Sequence, residues 1–415
     1  MINNTKTKIN FDMQIILAVF IIARFSCIAL SNIPLMTIGF SLLYSLVFIG
    51  LFFFISTTLS RLEVFSMLSL FIYVFEVAII TVSTTGEIIN SSAFNAYVLV
   101  ALYFIYLYMK KCSDKKRRTI CTVALVGYVF TFIYSIFKLV EDPMLSRLAA
   151  TGSLGRSEEV DTLNAIGGFD TVYGGLLVLV CMFYLRGVLN KKYQRALCDI
   201  SLIVGVVFII MASYGTAIVL LFASLCMLLF FRSKPWRYTV LVFMVLGLIL
   251  HDVIGEMIMS FSENIKFSEV LEEKVYQIGY ILKTGESTGT LSGNEGRLAR
   301  MGWSWDAFKK YPIFGGFFRD DIKIGYHSEF FDTLGKFGLV GFCSLVTFFY
   351  CFFTDVYNNC KTKTEKNNLI IVVIIYLLTS FLDPSLYTQQ ILPLFIFLPF
   401  LEKTFSQAKT LKRLR

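Results

Sequence analysis

The feature that most constrains this chain is a series of apolar runs, each roughly 18 to 24 residues long and set apart by short polar stretches. At about 1.5 Å per residue, a helix of that length crosses about 30 Å of hydrocarbon. A run that is apolar on every side belongs in lipid or in a large core, because a soluble surface helix keeps one polar face. Only 16% of the 415 residues are charged and 56% are hydrophobic, where an ordinary soluble domain has about a quarter charged. The expectation is an all-α, polytopic helical membrane protein, with residues 1–415 forming one integral membrane domain.

Hydropathy places twelve spans at about 11–30, 33–56, 63–83, 94–109, 119–139, 171–189, 197–212, 216–231, 236–254, 331–354, 367–382 and 389–402. The fourth ends in KKCSDKKRR, a basic cluster that fixes this loop as cytoplasmic by the positive-inside rule. Alternation from there puts both termini in the cytoplasm. It leaves two long polar segments outside, a first external loop at 140–170 and a large external loop at 255–330 between the ninth and tenth spans. The first apolar run lacks a small-residue cleavage site and reads as a retained span. On this topology the net charge of +9 is mostly orientation signal, and no nucleic acid is expected as a partner. The nine cysteines have no metal-ligand spacing and none falls in an external loop, so neither a zinc site nor a disulfide is expected. Arg24 and Glu76 lie inside spans, where a lone charge is costly. They are expected to pair and hold the first and third spans together, or else to border a polar substrate cavity.

The long polar stretch Gly293 to Phe342 concentrates the chemistry. Residues 262–283 mix charged and apolar positions as an amphipathic helix does, either lying at the membrane surface or packing inside the loop. Further on, Leu298, Met301, Trp305 and Phe308 share one helix face, while Arg297, Arg300 and Ser304 share another. Two arginines on one face suit phosphate, since the guanidinium fork matches phosphate oxygens in bidentate fashion. Contacts with solvent or lipid headgroups are the plainer alternative. His327 is one of two histidines, and a neutral imidazole can take a proton from an attacking hydroxyl. The plainer reading of a loop histidine is a hydrogen-bonding surface or core residue, and that reading is given to His251. Asp320, Asp321, Glu329 and Asp332 read as sugar-hydroxyl contacts or solvated groups. With no DxD motif in an external loop, a metal-free mechanism without a cofactor is expected.

His327-Ser328, nine residues, then Gly338-Leu-Val-Gly341 resembles the His-Asn/Ser/Gln, nine residues, Gly-x-x-Gly pattern of the O-antigen ligase and Wzy-type polysaccharide polymerase superfamily. The upstream run with Gly296, Arg297, Trp303 or Trp305, Ala307, Pro312, Gly315 and Gly316 resembles that family's large external loop. Twelve spans and a long loop after the ninth fit the same pattern. Where family members often have Ser-Arg at the outer start of a middle span, this chain has Ser213-Tyr214-Gly215.

The resemblance implies a membrane-embedded (GT-C-like) inverting glycosyltransferase in a bacterial inner or plasma membrane, with its active site on the external or periplasmic face. His327 would be the base toward the acceptor hydroxyl. Arg297 and Arg300 would bind the donor diphosphate, with Arg147 or Arg156 of the other external loop as a looser match. The implied substrates are polyprenyl-diphosphate-linked oligosaccharides among membrane lipids, and the implied partners a flippase and a chain-length regulator. Polymerisation of repeat units into O-antigen or capsular polysaccharide is the leading expectation. Ligation to lipid A-core uses the same residues, and a polysaccharide transporter is the rival from another class. A transporter, however, keeps its charged residues at the bilayer midplane with short loops.

Overall fold

A computed structural model of the chain describes residues 2–55, 58–85, 91–146, 166–266, 268–285, 297–316 and 322–406, and every regular element among them is helical. In order these are α1 (Ile2–Ser26), two 3-10 turns (Ile28–Asn32 and Pro34–Met36), α2 (Ile38–Phe54), α3 (Arg61–Thr85), α4 (Ser91–Lys111) and α5 (Asp114–Glu141). Then come α6 (Phe169–Val188), α7 (Lys192–Met211), α8 (Gly215–Arg232), α9 (Lys234–Ile249), α10 (His251–Ser262) and α11 (Glu269–Thr284). The chain continues through α12 (Arg297–Lys310), α13 (Glu329–Asn358), α14 (Lys363–Leu382) and α15 (Thr388–Ser406).

All twelve hydropathy segments fall on helices, but they are not all of crossing length. Among the described residues, seven helices, α3 to α7, α13 and α14, are long and apolar enough to span a membrane, and α9 with α10 makes an eighth if that bent pair counts as one broken span. The described side chains of α1 start at Met13, and from there to Ser26 it is apolar; α2 and α8 are short apolar helices. The 17 residues of α2 reach about 26 Å.

Burial divides the helices. α4, α6 and α15 are covered nearly all round, with Leu102 to Met109, Val172 to Met182 and Ile391 to Phe397 almost fully enclosed. An apolar helix can bury every side only at the centre of a bundle. The outer helices keep an apolar exposed face, as at Phe65, Phe75 and Ile79 of α3 and Leu241 to Ile249 of α9. Such a face is stable against lipid chains and not against water.

Charges inside the bundle are matched at one end. Lys110 at the end of α4 lies 2.5 Å from Glu63 of α3 and 2.6 Å from Asp355 of α13, and Tyr106 donates to the same Asp355 at 2.5 Å. The expected Arg24–Glu76 pair does not form. Arg24 donates from Nε to the carbonyl of Met36 at 2.7 Å, with Asp170 of α6 as the nearby opposite charge. Glu76 packs instead beside Gly341 of α13, and both its carboxylate oxygens are buried without a hydrogen-bond partner among the described residues. Hydropathy places both charges within apolar segments; which helix faces which it does not encode.

The segment expected as the ninth span is not one straight helix. At Leu250 the chain turns through 84° into α10, and α10 and α11 pair closely. A Cβ on Gly255 would lie 2.7 Å from the carbonyl of Gly279, and the reverse distance is the same. His251 sits at this bend, with Nδ1 3.1 Å from the carbonyl of Leu282 on α11, the plain structural role expected of it.

Candidate functional site

The site is built from α12, the turn that follows it, and the first turns of α13. α12 packs by its small polar side. A Cβ on Gly325 would stand 2.1 Å from the carbonyl of Arg300, and one on Gly335 would stand 2.6 Å from the carbonyl of Ser304. The two glycines thus let the next segment lie against the backbone of α12 one turn apart. Ser304 is fully buried and Ala307 nearly so, whereas Trp305 remains 39% exposed at the edge, 5.2 Å from Phe308 and 6.2 Å from Phe331 between ring centres. The face expected to project arginines is therefore the packed face, and the aromatics flank it.

Asp332, read as a sugar contact or a solvated group, is instead a buried internal acceptor, 4% exposed. Its Oδ1 accepts from the Ser304 hydroxyl at 2.5 Å and from the Tyr326 amide at 3.1 Å, and its Oδ2 accepts from the Ser328 amide at 3.1 Å. The Ser304 hydroxyl in turn accepts from the Gly325 amide at 2.9 Å. Glu329 is similarly committed, accepting from the Thr333 hydroxyl and from the amides of Ser385 and Leu386 ahead of α15. Ser328 caps α13, its hydroxyl accepting from the Phe331 amide at 3.4 Å. These bonds fix residues 325–328, with Tyr326 held in the left-handed region at φ 54°.

The segment so fixed contains His327, and Arg300 Nη1 lies 2.6 Å from His327 Nε2. A guanidinium has donors only, so Nε2 must be the acceptor. The imidazole in this arrangement is neutral, with its proton on Nδ1. Arg300 Nε is buried and has no acceptor among the described residues. Arg297 begins α12 one turn earlier, and the described side chains of this helix start at Ala299. Arg147, Arg156, Asp320 and Asp321 lie outside the described residues.

The glycine motif has a backbone explanation. α13 breaks at Gly338, which has φ 61° and ψ −156°, a region essentially restricted to glycine. The turn Pro312 to Gly316 fits into the break. The amides of Leu339 and Val340 donate to the carbonyls of Pro312 and Ile313 at 2.8 and 3.1 Å, and the Gly316 amide donates to the carbonyl of Gly335 at 2.8 Å. Gly315, at φ 74°, has room for no Cβ, since Lys336 O would be 2.1 Å away. One turn further, a Cβ on Gly341 would be 2.5 Å from Glu76 Oε2. The two ends of the motif therefore serve different neighbours, the loop at Gly338 and α3 at Gly341.

Two cavities adjoin this assembly. One, of about 810 Å³, is an open and largely apolar groove between α3 and the Pro312–Gly315 turn, with Glu76 in its wall and Lys310 among its lining residues. The other, of about 120 Å³, is more enclosed and polar, lined by Tyr73, Asn95, Tyr326, Lys336 and Tyr387 together with Glu329 and Asp332. Burial raises the hydroxyl pKa of Tyr326, helped by the Asp332 charge. Burial, with Glu329, Asp170 and Asp332, pushes that of Tyr387 up to about 12. Both phenols therefore stay protonated and able to donate.

Sequence reasoning missed Gly325, Gly335, Ser304 as a buried link, Lys336, and the contributions of Asn95 and Tyr387. The last two come from α4 and from the bend just before α15, more than two hundred residues apart in the chain, and have no local signal. No protein-family model matches the chain, and no curated protein matches it.

Proposed function

We propose that this protein is a membrane glycosyltransferase that joins polyprenyl-diphosphate-linked oligosaccharide repeat units into an O-antigen or capsular polysaccharide. The reading includes twelve crossings, cytoplasmic termini, and a site on the outer face of a bacterial inner or plasma membrane. The observation that carries it is the 2.6 Å contact between Arg300 and His327, a base and a diphosphate ligand held together at one end of an apolar bundle.

In this reaction the acceptor hydroxyl attacks the anomeric carbon of the donor sugar from the side opposite the diphosphate. A C–O bond forms, the bond to the diphosphate oxygen breaks, and the hydroxyl proton passes to His327 Nε2. The polyprenyl diphosphate leaves with the bonding electron pair. Arg300 occupies Nε2 before substrate arrives, and a diphosphate oxygen is the stronger partner for a guanidinium because the bond is charge-assisted and can be bidentate. Transfer of Arg300 from imidazole to diphosphate uncovers Nε2 at the moment the acceptor needs it. It also satisfies the orphaned Arg300 Nε and places positive charge where negative charge develops. The apolar groove beside Gly315 offers the polyprenyl chain a seat next to the same helix.

The test is a glycan gel from purified protein given its lipid-linked repeat unit, wild type beside His327→Ala. A ladder of multiples from wild type, absent from the variant, is the expected result. A ladder from both proteins would remove His327 as the base. Absence of a ladder from wild type, with transfer appearing only when lipid A-core is added, would make the protein a ligase.

A further inference from the structure

The enclosed cavity has a cation that the reaction above does not use. Lys336 projects from the short helical segment between Asp332 and the break at Gly338, and its ammonium lies 4.1 Å from the centre of the Tyr326 ring. A cation over an aromatic face is attracted to it, but the ring accepts no ordinary hydrogen bond. Among the described residues no carboxylate lies within ion-pair distance of this ammonium and no acceptor bonds to it. Glu329 and Asp332 are close enough to act on its charge, yet their oxygens are engaged by Ser304, Thr333 and the amides of Tyr326, Ser328, Ser385 and Leu386. Opposite, Asn95 accepts from Thr388 through its carbonyl at 3.4 Å, while its amide nitrogen donates to none of the described residues. A half-buried ammonium and an amide donor thus line one small cavity, both lacking an acceptor.

We propose that this cavity is a subsite for the carboxylate of one acidic sugar, a uronic acid, in the lipid-linked substrate. The proposal rests on the glycosyltransferase reading and extends it to the class of sugar. The cavity volume of about 120 Å³ corresponds to a few waters at about 30 Å³ each. It admits the acidic edge of one ring and not an oligosaccharide. Charge favours a carboxylate over a phosphate. Glu329 and Asp332 act on the same ammonium from beyond ion-pair distance, so each further negative charge adds repulsion and a monoanion bonded to Lys336 is tolerated better than a dianion. The tyrosines fit a sugar as well, since Tyr73, Tyr326 and Tyr387 give apolar ring faces with polar tips. Tyr326 precedes His327, which puts the occupied subsite beside the base.

The test uses the full-length protein in detergent and three probes, methyl β-glucuronide, methyl β-glucoside and inorganic pyrophosphate, with binding followed by saturation-transfer NMR. Wild type should bind the glucuronide about tenfold or more tighter than the glucoside, the range of one charge-assisted bond. Lys336→Gln should erase that preference and Lys336→Arg should retain most of it, with pyrophosphate binding unchanged in both. If Lys336→Gln fails to fold, Asn95→Leu should weaken the glucuronide selectively. Equal binding of the two glycosides by wild type overturns the proposal. So does a loss of pyrophosphate binding in Lys336→Gln without any loss of glucuronide, which would make this a phosphate site. Binding requires no turnover, so a missing polymerisation ladder refutes the reaction and leaves this result standing on its own.

Discussion

Replacing Asp332 by asparagine keeps the shape of the side chain and removes one acceptor oxygen and the charge. The wild-type carboxylate holds Ser304, Tyr326 and Ser328, and bonds to a charged group contribute about 1.5–3 kcal/mol each. Asparagine does best with its oxygen at the Oδ1 position, retaining Ser304 and Tyr326 as neutral bonds of about half that strength. Its amide then faces the Ser328 N–H, donor against donor, leaving a buried amide unsatisfied at about 1–3 kcal/mol. The sum is a local loss of about 3–5 kcal/mol, or roughly 10²- to 10⁴-fold more frequent opening of residues 325–328. Amide hydrogen exchange reads this directly: protection at Tyr326 and Ser328 should fall by that factor. The Leu339 and Val340 amides, held by Pro312 and Ile313, should change little. On the proposed function, polymerisation should fall at least about 100-fold, the scale for a displacement near 1 Å. Unchanged protection at Tyr326 and Ser328 would refute the view that Asp332 is what fixes the His327 segment.

Gly338→Ala puts a Cβ 2.5 Å from Gly315 N and Ile313 O in a conformation that alanine resists. It should cost about 3 kcal/mol or more, seen as faster exchange at Gly316, Leu339 and Val340. Lys110→Met leaves Glu63 and Asp355 facing each other without their cation, and should destabilise by about 3–5 kcal/mol in a thermal melt. Glu76→Gln removes a buried charge that has no hydrogen-bond partner among the described residues. It should be neutral or stabilising by up to about 1 kcal/mol, and a fall in melting temperature comparable to that of Lys110→Met would contradict this.

What was legible in the sequence follows from what a local pattern can encode. Hydropathy located the helices because lipid and a buried core both demand unbroken apolar faces. It overran at Leu250, where the apolar character continues through an 84° bend. Helical periodicity put Arg300 and Ser304 on one face, and they do share one. That this face packs inward depends on Gly325 and Gly335, which lie beyond the helix and outside its period. Asp332 was misread because a carboxylate in a polar stretch has the same sequence signature whether it meets water or three internal donors. Arg24 and Glu76 were matched by depth alone, and two helices at equal depth need not touch.

The break at Gly338 makes α13 two shafts joined by a coupling. Above it, Asp332 and Lys336 are oriented by α12 and the loop; below it, Gly341, Leu345 and Phe348 are oriented by the membrane helices, with Glu76 of α3 against Gly341. An uninterrupted helix would turn each residue added or deleted within its first turns, Glu329 to Phe337, into a rotation of about 100° for everything below. With the ladder interrupted and its free groups met by residues 312–316, such a change is absorbed at the joint. The first turns of α13 are thereby free to be reshaped while the apolar remainder of the helix keeps its bearing.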